Sequence, residues 1–498
     1  MLTRLRVSGF KNLVNVDVRF GPFTCIAGAN GVGKSNLLDA ISFLSALCEK
    51  PLIDAALCVR DEGGKTGDVR SLFHRVGDKY ADEMSFEAEM IVPEIGEDDL
   101  GQPAKATSTF LRYLLVLRYR ENSGQRAVGG LEILKEELTH IKRGESNKHL
   151  LFPCQEKWKK SVLIGKRGAS FISTEQSSKD SPDNKIIKIH QDGKSGRARS
   201  LSAINLPRTA ISATNAAETP TATLARREMQ SWKLLQLEPS SLRSPDLFTA
   251  PTKLGSDGSH LAATLYRMGR SESSASSANN AIYAKVANRL SELIEDVREL
   301  SIARDENREL LTLFVTGRDG TAHPARALSD GTLRFLALAV LDIDSDTQGV
   351  LCLEEPENGI HPKRIPAILD LLQDIVVDTT QSTGSDNPLR QVIINTHSPT
   401  VVAQVPEDSL LVAEPLQSSK GGTTYTELSF SSLSGTWRAT SGGRTVSRGQ
   451  VLEYLNPLSV TSAVVEVLPP SIKRTRVMDR SDMQVGSFDF DKEEPLQV

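Results

Sequence analysis

The stretch GANGVGKSN, residues 28 to 36, fits the pattern G-x-x-x-x-G-K-[ST] of a phosphate-binding loop. FTCIA before it is apolar enough for a buried strand, and SNLLDAISFLSAL after it has the spacing of an amphipathic helix. Glycines between a strand and a helix let backbone N–H groups turn toward phosphate oxygens. The expected phosphate-binding residues are Gly28, Ala29, Asn30, Gly31, Val32, Gly33, Lys34, Ser35 and Asn36.

Two side chains of this loop have expected roles of their own. Lys34 is placed to reach the β and γ phosphates of a nucleoside triphosphate, and the Ser35 hydroxyl is placed to ligate Mg²⁺. The sequence therefore predicts a nucleotide site that contains a magnesium ion.

A second apolar run ends in two carboxylates, some three hundred residues later, in GVLCLEEPENGIHP. Residues 350 to 353 are typical of a buried parallel strand, and ligands gather at the carboxyl ends of such strands. Neighbouring side chains on an extended chain point in opposite directions. We therefore predict that Glu354 binds the metal and that Glu355 activates the attacking water.

Two further segments suit phosphate binding. In ALSDGTLRFLALAVLDI, residues 327 to 343, Ser329 stands at a helix N-cap and is followed by Asp330 and Gly331, which together predict an anion site. QVIINTHSP, residues 391 to 399, predicts a strand whose end carries His397, placed to hydrogen-bond the γ phosphate or the water. Such a histidine is more often structural, but these neighbouring motifs favour a functional role.

The order and the residue sequences of these motifs resemble those of the ABC-type ATPase heads of the SMC, RecF and overcoming-lysogenization-defect (OLD) group. LSDGT, LEEPENGIHP and NTHSP are similar to the AAA_21 or AAA_15 ATPases, many of which belong to bacterial anti-phage systems. The resemblance covers residues 1 to 95 and 305 to 415, with a weaker echo in residues 232 to 265. It implies ATP and Mg²⁺ as cofactors, and a homodimer or higher homo-oligomer in which LSDGT of one subunit closes on the ATP of the other.

The chain departs from the ABC pattern in three places. Glu354 stands where an aspartate is usual, LSDGT replaces LSGGQ, and no clear glutamine-loop residue follows the first helix. RSLFHRVGD, residues 70 to 78, is where we expect that loop.

The resemblance implies an α/β fold, a P-loop NTPase with an ABC-ATPase-like split head. Residues 1 to 95 and 305 to 415 are its expected halves, residues 96 to 304 an inserted β lobe and helical lobe, and residues 416 to 498 a C-terminal extension with an acidic tail. The predicted strands of the β lobe are STFLRYLLVLRYREN, GGLEILKEELTHI, KKSVLIGK, ASFISTE and NKIIKIHQ. AIYAKVANRLSELIEDVREL predicts a helix with Val286, Leu290, Leu293, Val297 and Leu300 on one face.

Two strands, LTRLRV and VNVDVRF, are predicted to pair ahead of the phosphate loop. The turn GFKN, residues 9 to 12, joins them. Lys11 and Asn12 either lie near the nucleotide or belong to a turn that merely connects two strands, and the sequence leaves both open.

Nucleic acid is a possible partner. KWKKSVLIGKRG at 157 to 168, GKSGRARS at 193 to 200 and IKRTR at 472 to 476 are basic enough to contact a phosphate backbone, although solvated charged faces are the commoner explanation. Trp158 either stacks on a base or anchors a loop. A built-in nuclease would need Glu414 in LLVAEP together with Asp489 and Asp491, but too little chain follows those aspartates. LLVAE is therefore predicted to be the last strand of the ATPase sheet.

The composition excludes a general attraction to polyanions, since the net charge is -4 and the pI is near 6.1. No apolar run approaches the roughly 20 residues that span a bilayer, and the N-terminus lacks a signal-peptide pattern. We expect a cytoplasmic protein without a membrane partner. The favoured function is an ATPase that senses or regulates in anti-phage defence, with an effector nuclease or toxin in trans. The alternatives are a RecF-like ATPase of DNA repair or DNA ends, and a slow-turnover scaffold.

Overall fold

The computed structural model describes residues 1–59, 68–121, 130–165, 169–176, 185–192, 198–271, 276–294, 296–420 and 422–455. Within these ranges the strands are β1 Leu2–Phe10, β2 Leu13–Arg19, β3 Phe23–Ala27, β4 Arg75–Val76, β5 Lys79–Tyr80, β6 Glu83–Ile91, β7 Ile95–Glu97, β8 Pro103–Lys105, β9 Phe110–Arg120, β10 Gly130–His140, β11 Ile172–Gln176, β12 Lys185–Ile189, β13 Arg199–Ser202, β14 Lys233–Leu235, β15 Asp246–Leu247, β16 Val297–Asp305, β17 Leu310–Gly317, β18 Ala322–Pro324, β19 Gly349–Glu354, β20 Arg390–Thr396, β21 Leu410–Lys420, β22 Thr423–Leu433 and β23 Arg444–Val446. The α-helices are α1 Lys34–Leu47, α2 Leu52–Leu57, α3 Ser146–His149, α4 Glu156–Val162, α5 Pro220–Gln230, α6 Pro239–Arg243, α7 Leu261–Ser271, α8 Ser276–Ser291, α9 Asp330–Ile343, α10 Ile365–Asp374, α11 Pro399–Gln404 and α12 Arg448–Leu455.

A seven-stranded sheet carries the predicted phosphate-binding motifs. Its order is β14-β19-β20-β3-β21-β22-β23, and the strands from β14 to β21 run parallel. β3 therefore lies between two strands that come almost 400 residues later in the chain. All residues of β3 and β20 are buried, as the apolar residues at the centre of each strand predict.

The two faces of this sheet pack into different cores. Ile26, Cys352 and Ile393 face the core that contains α1, whereas Cys25 and Leu351 face the core that contains α9 and α10. Alternate residues of each central strand are thus buried on opposite faces, which explains why the middle of each strand is a continuous apolar run and does not alternate with polar residues. The α/β fold with helices on both faces agrees with the predicted P-loop NTPase class.

An eight-stranded antiparallel sheet has the order β13-β12-β11-β10-β9-β6-β1-β2. β1 and β2 pair as predicted, with Val7 opposite Val16. Four of the five strands predicted for the β lobe extend this same sheet, because β9 pairs with β6 and β6 pairs with β1. Its β9 strand alternates buried and partly exposed residues, so one face packs on a core while the other meets solvent.

Two predicted elements are wrong. KKSVLIGK does not form a strand: α4 runs from Glu156 to Val162 and buries Trp158 and Val162, four residues apart, on one helical face. The predicted helix through Leu300 ends at Ser291, and Val297 begins a strand instead.

LLVAE is part of β21, but it is not the last strand of the sheet, because β22 and β23 follow it. Glu414 accepts a hydrogen bond from Ser431 Oγ at 3.3 Å, across the β21–β22 pair. Asp489 and Asp491 lie outside the described residues. None of the helices within the described ranges combines the length and the apolar character needed to cross a bilayer.

A buried acid ties the antiparallel sheet to the chain that leads into α5. Glu136 on β10 accepts hydrogen bonds from the backbone N–H of Ala210 at 2.7 Å and of Ile211 at 2.8 Å, and from the Tyr113 hydroxyl at 3.1 Å. Burial raises the pKa of Glu136 to about 7, against the effect of these donors. Next to this anchor, Thr209 donates to the carbonyl of Leu47 at the end of α1.

Candidate nucleotide-binding site

The parallel register brings the separated motifs to one edge of the sheet. Glu354 of β19 lies opposite Asn395 of β20, and Asn395 lies opposite Ile26, just before the phosphate loop. Because the carboxyl ends of parallel strands open on the same side, the residues that follow them share one crevice. The fold thus joins the predicted segments at residues 28–36, 354–355 and 395–397.

The glycines of the loop meet strict backbone requirements. Gly31 and Gly33 have φ values of 79° and 99°, in the left-handed region that side chains disfavour. A Cβ on Gly33 would lie 2.1 Å from Nδ2 of Asn12, and one on Gly28 would lie 2.6 Å from the carbonyl oxygen of Ala413. This close-packed loop before the N-terminus of α1 fits a phosphate chain.

Lys34 points into the loop. Its Nζ donates to the carbonyl oxygens of Gly28 at 2.8 Å and Ala29 at 2.9 Å. Burial lowers the pKa of Lys34, while the charges of Glu355, Glu357 and Glu354 oppose that shift. The ammonium group is therefore held beside the acidic strand end, as a ligand for phosphate oxygens would need.

The turn at residues 9 to 12 braces the phosphate loop. Asn12 Nδ2 donates to the Val32 carbonyl at 2.8 Å, and Asn36 Nδ2 donates to Asn12 Oδ1 at the same distance. Lys11 Nζ lies 2.7 Å from Asp39 Oδ2 on α1. The interpretation of this turn as a mere connection between two strands is wrong, because the side chains of Asn12 and Lys11 contact the phosphate loop and α1.

The predicted metal ligands meet at a residue that the sequence did not single out. Asn395 Nδ2 lies 3.4 Å from Ser35 Oγ and 3.5 Å from Glu354 Oε1. A hydroxyl and a carboxylate suit Mg²⁺, which takes its remaining ligands from water and substrate phosphates. Within the described residues, no group of three or more His, Cys, Asp or Glu side chains is placed to hold a metal ion.

Glu355 faces the other way, toward His397. Its Oε1 lies 2.6 Å from His397 Nδ1, and its Oε2 accepts from Asn358 Nδ2 at 2.7 Å. The backbone N–H of Glu355 also donates to Asn395 Oδ1 at 3.1 Å, and its φ of 47° lies in the left-handed region. A carboxylate paired with an imidazole is able to accept and pass on a proton from water.

The predicted anion site at α9 has different neighbours. Ser329 caps the helix, because its Oγ accepts from the N–H of Thr332 at 3.3 Å. Arg243 Nη2 on α6 donates to the Leu328 carbonyl at 3.1 Å and pairs with Asp330. Among the described residues, the hydrogen bonds of Ser329 and Asp330 stay within α6 and α9 and do not reach the phosphate loop of the same chain.

Gly331 links this segment to the acidic turn. A Cβ at Gly331 would lie 2.9 Å from the Gly359 carbonyl oxygen, and Arg334 Nη1 donates to the Asn358 carbonyl at 2.7 Å. Asn358 in turn holds Glu355. The start of α9 and the predicted water-activating residue therefore share one packed unit.

A glutamine beside the carboxylates comes from an unexpected strand. β14 pairs with β19 so that Leu235 lies opposite Leu353, and Gln236 follows at the carboxyl end of β14. Gln236 lines a cavity of about 280 Å³ together with Glu354 and Glu355. The signals in the sequence were the weaker family resemblance of residues 232 to 265 and the apolar run KLLQL, which is too short to separate from its helical surroundings.

Residues 70 to 78, where the glutamine loop was expected, pack behind the turn at Lys11 instead. The N–H of Lys11 donates to the Leu72 carbonyl at 2.8 Å, and His74 Nδ1 lies 2.7 Å from the Lys11 carbonyl oxygen.

The structure describes part of the basic clusters that were predicted to contact nucleic acid. Trp158 is fully buried and packs edge-on against Phe152 at 5.7 Å, so it anchors the chain and is not available to stack on a base. Lys159 contacts Asn147 and Glu156. Residues 166–168, 193–197 and 472–476 of the three basic clusters lie outside the described residues.

Known proteins match different shares of this chain. The family model AAA_21, described as "AAA domain, putative AbiEii toxin, Type IV TA system", matches residues 23–97 and 164–403. The DNA replication and repair protein RecF of Porphyromonas gingivalis is 46% identical over 46 residues, which are 9% of this chain and 13% of that protein. RecF of Phocaeicola vulgatus is 44% identical over 46 residues, 9% of this chain and 12% of its own length. The chain thus covers about an eighth of these relatives.

Solved SMC heads are also similar. The SMC head bound to the C-terminal winged-helix domain of ScpA is 13% identical, with 88% of this chain and 99% of that chain covered and a TM-score of 0.43. The SMC head domain from Thermotoga maritima is 10% identical, with 86% and 98% covered and a TM-score of 0.35. The AAA_21 match alone covers more than half of the chain and includes the phosphate loop, the acidic strand end and the histidine strand. The chain belongs to the AAA_21 family and is an ABC-type, SMC/RecF-like ATPase head.

Proposed function

We propose that the chain hydrolyses ATP and uses the nucleotide to join and release two subunits. The observation that carries this proposal is the position of Asn395. Its side chain lies against both Ser35 and Glu354, and it also accepts from the N–H of Glu355. Residues from both halves of the sequence are thereby arranged around one point, as metal-assisted phosphoryl transfer to water requires.

In this mechanism the protein acts by positioning and by electrostatics. Lys34 and the loop N–H groups neutralise the phosphates, and Ser35 and Glu354 hold Mg²⁺, which when bound supplies positive charge to the phosphate oxygens. Glu355 orients the attacking water and accepts its proton. His397 holds Glu355 on one side and contacts the γ phosphate on the other.

We further propose a head-to-tail homodimer, in which Ser329, Asp330 and Gly331 of one subunit complete the site of the other. Two features support it: the side chain of Asp330 is 55% exposed, and within the part of the chain that the structure describes the hydrogen bonds of this segment do not reach the phosphate loop of the same subunit. Arg334 and Gly331 lie against the turn that carries Asn358. A nucleotide held by the partner subunit at this segment would therefore influence the position of Glu355, which Asn358 holds.

For the biological role we propose a sensor or regulator of anti-phage defence in the cytoplasm, with an effector nuclease or toxin in trans. The AAA_21 description, which names a toxin of a type IV toxin–antitoxin system, supports this class of role. A RecF-like ATPase acting on DNA is the second candidate, supported by the 46-residue matches to RecF. DNA binding that weakens steeply with salt would favour the second candidate over the first.

Phosphate release with ATP and Mg²⁺ tests the proposed activity. The wild-type chain should release phosphate, Lys34→Ala should not, and the exposed Lys363→Ala should behave as the wild type. Light scattering should show a larger mass with ATP than without it. A wild-type chain that binds ATP but releases no more phosphate than Lys34→Ala would instead be a nucleotide-bound scaffold.

A further inference from the structure

Glu357 is a buried acid that the proposed mechanism does not use. Its residue is 7% exposed. Its Oε1 accepts a hydrogen bond from Thr396 Oγ1, whereas its Oε2 is buried without a hydrogen-bond partner among the described residues. Burial raises the pKa of Glu357. Burying a carboxyl group with an unpaired oxygen destabilises a fold, which points to a role beyond filling space.

Thr396 connects Glu357 to the turn that carries His397. Thr396 is fully buried at the end of β20, and its Oγ1 accepts from the N–H of Ser398 at 2.9 Å while donating to Glu357. His397 lies between Thr396 and Ser398 in the chain. The hydroxyl of Thr396 therefore holds the backbone on both sides of His397 and is itself bound to the carboxylate of Glu357.

The segment that carries Glu355 and Glu357 also contacts the segment of Thr396 and His397 at the two proposed proton-handling side chains. His397 Nδ1 lies 2.6 Å from Oε1 of Glu355, which precedes Glu357 by two residues. Glu355 has a left-handed backbone, with φ at 47°. A non-glycine residue keeps such a conformation only where its surroundings hold it in place. The Glu357–Thr396 hydrogen bond is the side-chain link that joins this segment to the residue directly before His397.

We propose that Glu357 is a positioning residue for hydrolysis: acting through Thr396, it fixes the imidazole of His397 against the carboxylate of Glu355. This inference rests on the proposed ATP hydrolysis and goes beyond it, because it assigns a role to a side chain that the proposed mechanism does not use. A shift of about 1 Å at a catalytic group lowers a rate on the order of 100-fold, so a small movement of the turn is enough.

The test compares variants that remove the hydrogen bond with variants that keep it. Glu357→Ala and Thr396→Val should lower kcat on the order of 100-fold with little change in KM for ATP. Glu357→Gln keeps the acceptor oxygen and Thr396→Ser keeps the hydroxyl, so both should stay near the wild-type rate. The double variant Glu357→Ala/Thr396→Val should be no slower than Thr396→Val alone, since Thr396→Val already removes the link to Glu357. Exposed Glu218→Ala is the matched control.

Three results would overturn this proposal while leaving ATP hydrolysis intact: wild-type kcat in Glu357→Ala and Thr396→Val, a loss in Glu357→Gln as large as in Glu357→Ala, or losses that multiply in the double variant. A wild-type chain that releases no phosphate would overturn the proposed function and this inference together. Thermal unfolding and binding of a fluorescent ATP analogue check that each variant is folded. Where Glu357→Ala does not fold, the Thr396→Val and Thr396→Ser pair decides.

Discussion

Asn395 lies against Ser35 on one side and Glu354 on the other, with Nδ2 distances of 3.4 Å and 3.5 Å. Ser35 and Glu354 are more than three hundred residues apart in sequence, and a single amide fixes their relative position. Side chains that hydrogen-bond to the ligands of a metal fix the orientation of those ligands. The geometry of the proposed magnesium site therefore depends on a side chain that need not touch the ion.

Replacing Asn395 should weaken the response to magnesium. In Asn395→Ala the hydroxyl and the carboxylate lose their common partner, so the Mg²⁺ concentration for half-maximal phosphate release should rise about tenfold. The measurement is a magnesium titration at saturating ATP, with exposed Asn288→Ala as the control. An unchanged titration curve would show that Asn395 does not organise the metal ligands.

Replacing Glu355 should separate binding from turnover. Glu355→Gln removes the proton acceptor but keeps the side-chain shape, so phosphate release should fall about 100-fold or more while ATP binding persists. Dimers should accumulate with ATP, as seen by light scattering. Exposed Glu218→Gln is the matched control. Normal turnover in Glu355→Gln would remove this residue from water activation.

Mixing two inactive variants should restore activity if the sites are shared between subunits. Lys34→Ala and Ser329→Ala damage opposite halves of each site, so a mixed dimer holds one site with both halves intact. With random exchange of subunits, the equimolar mixture should reach about a quarter of the wild-type rate. A mixture as inactive as the separate variants would argue against a head-to-tail site.

Glu136 should make stability depend on pH. Its pKa is raised from the ordinary value of 4.5 to about 7, so the folded chain binds this proton more tightly than the unfolded chain. The contribution of Glu136 to the free energy of unfolding should therefore fall as pH rises from 4.5 to 7 and become constant above 7.

Urea unfolding between pH 4.5 and 8 measures this effect. The difference between the wild type and Glu136→Gln should shrink across that window, because the glutamine does not titrate. Glu136→Gln should be the less stable chain at pH 5, since its NH2 group would face the N–H of Ala210 or Ile211, whereas the hydroxyl oxygen of the protonated acid keeps a lone pair that accepts. Glu132→Gln, on the same strand, is the control. A constant difference would show that Glu136 titrates normally.

Sequence reasoning located the strands of the nucleotide sheet because they are buried on both faces. β19 and β20 contain the apolar runs VLCL and VII, which end directly in polar residues, and β3 is apolar except for Thr24, so each strand gives a strong local signal. β14 was missed because only Lys233–Leu235 pairs, and three residues have no measurable period. Asn395 was passed over because its role depends on register with Ile26 and Glu354, which no single strand reveals.

The error at Leu300 has a physical cause. The pairing of β16 with β17 shifts register between Val297 and Glu299, which marks a bulge. The bulge leaves Arg298 and Glu299 exposed between buried Val297 and Leu300, and this three-residue spacing imitates a helix. At KKSVLIGK a strand was predicted where a helix forms. Its four adjacent apolar or small residues are compatible with a short strand and with a helix.

The place of β3 bears on how the chain folds during synthesis. Both of its neighbours, β20 and β21, are translated almost 400 residues after it. At ribosomal rates of roughly 5 to 20 residues per second, this strand waits about 20 to 80 seconds with both edges unpaired. The nascent chain must therefore carry an apolar, aggregation-prone segment for most of its translation, and its dependence on chaperones should be greatest before residue 413 emerges.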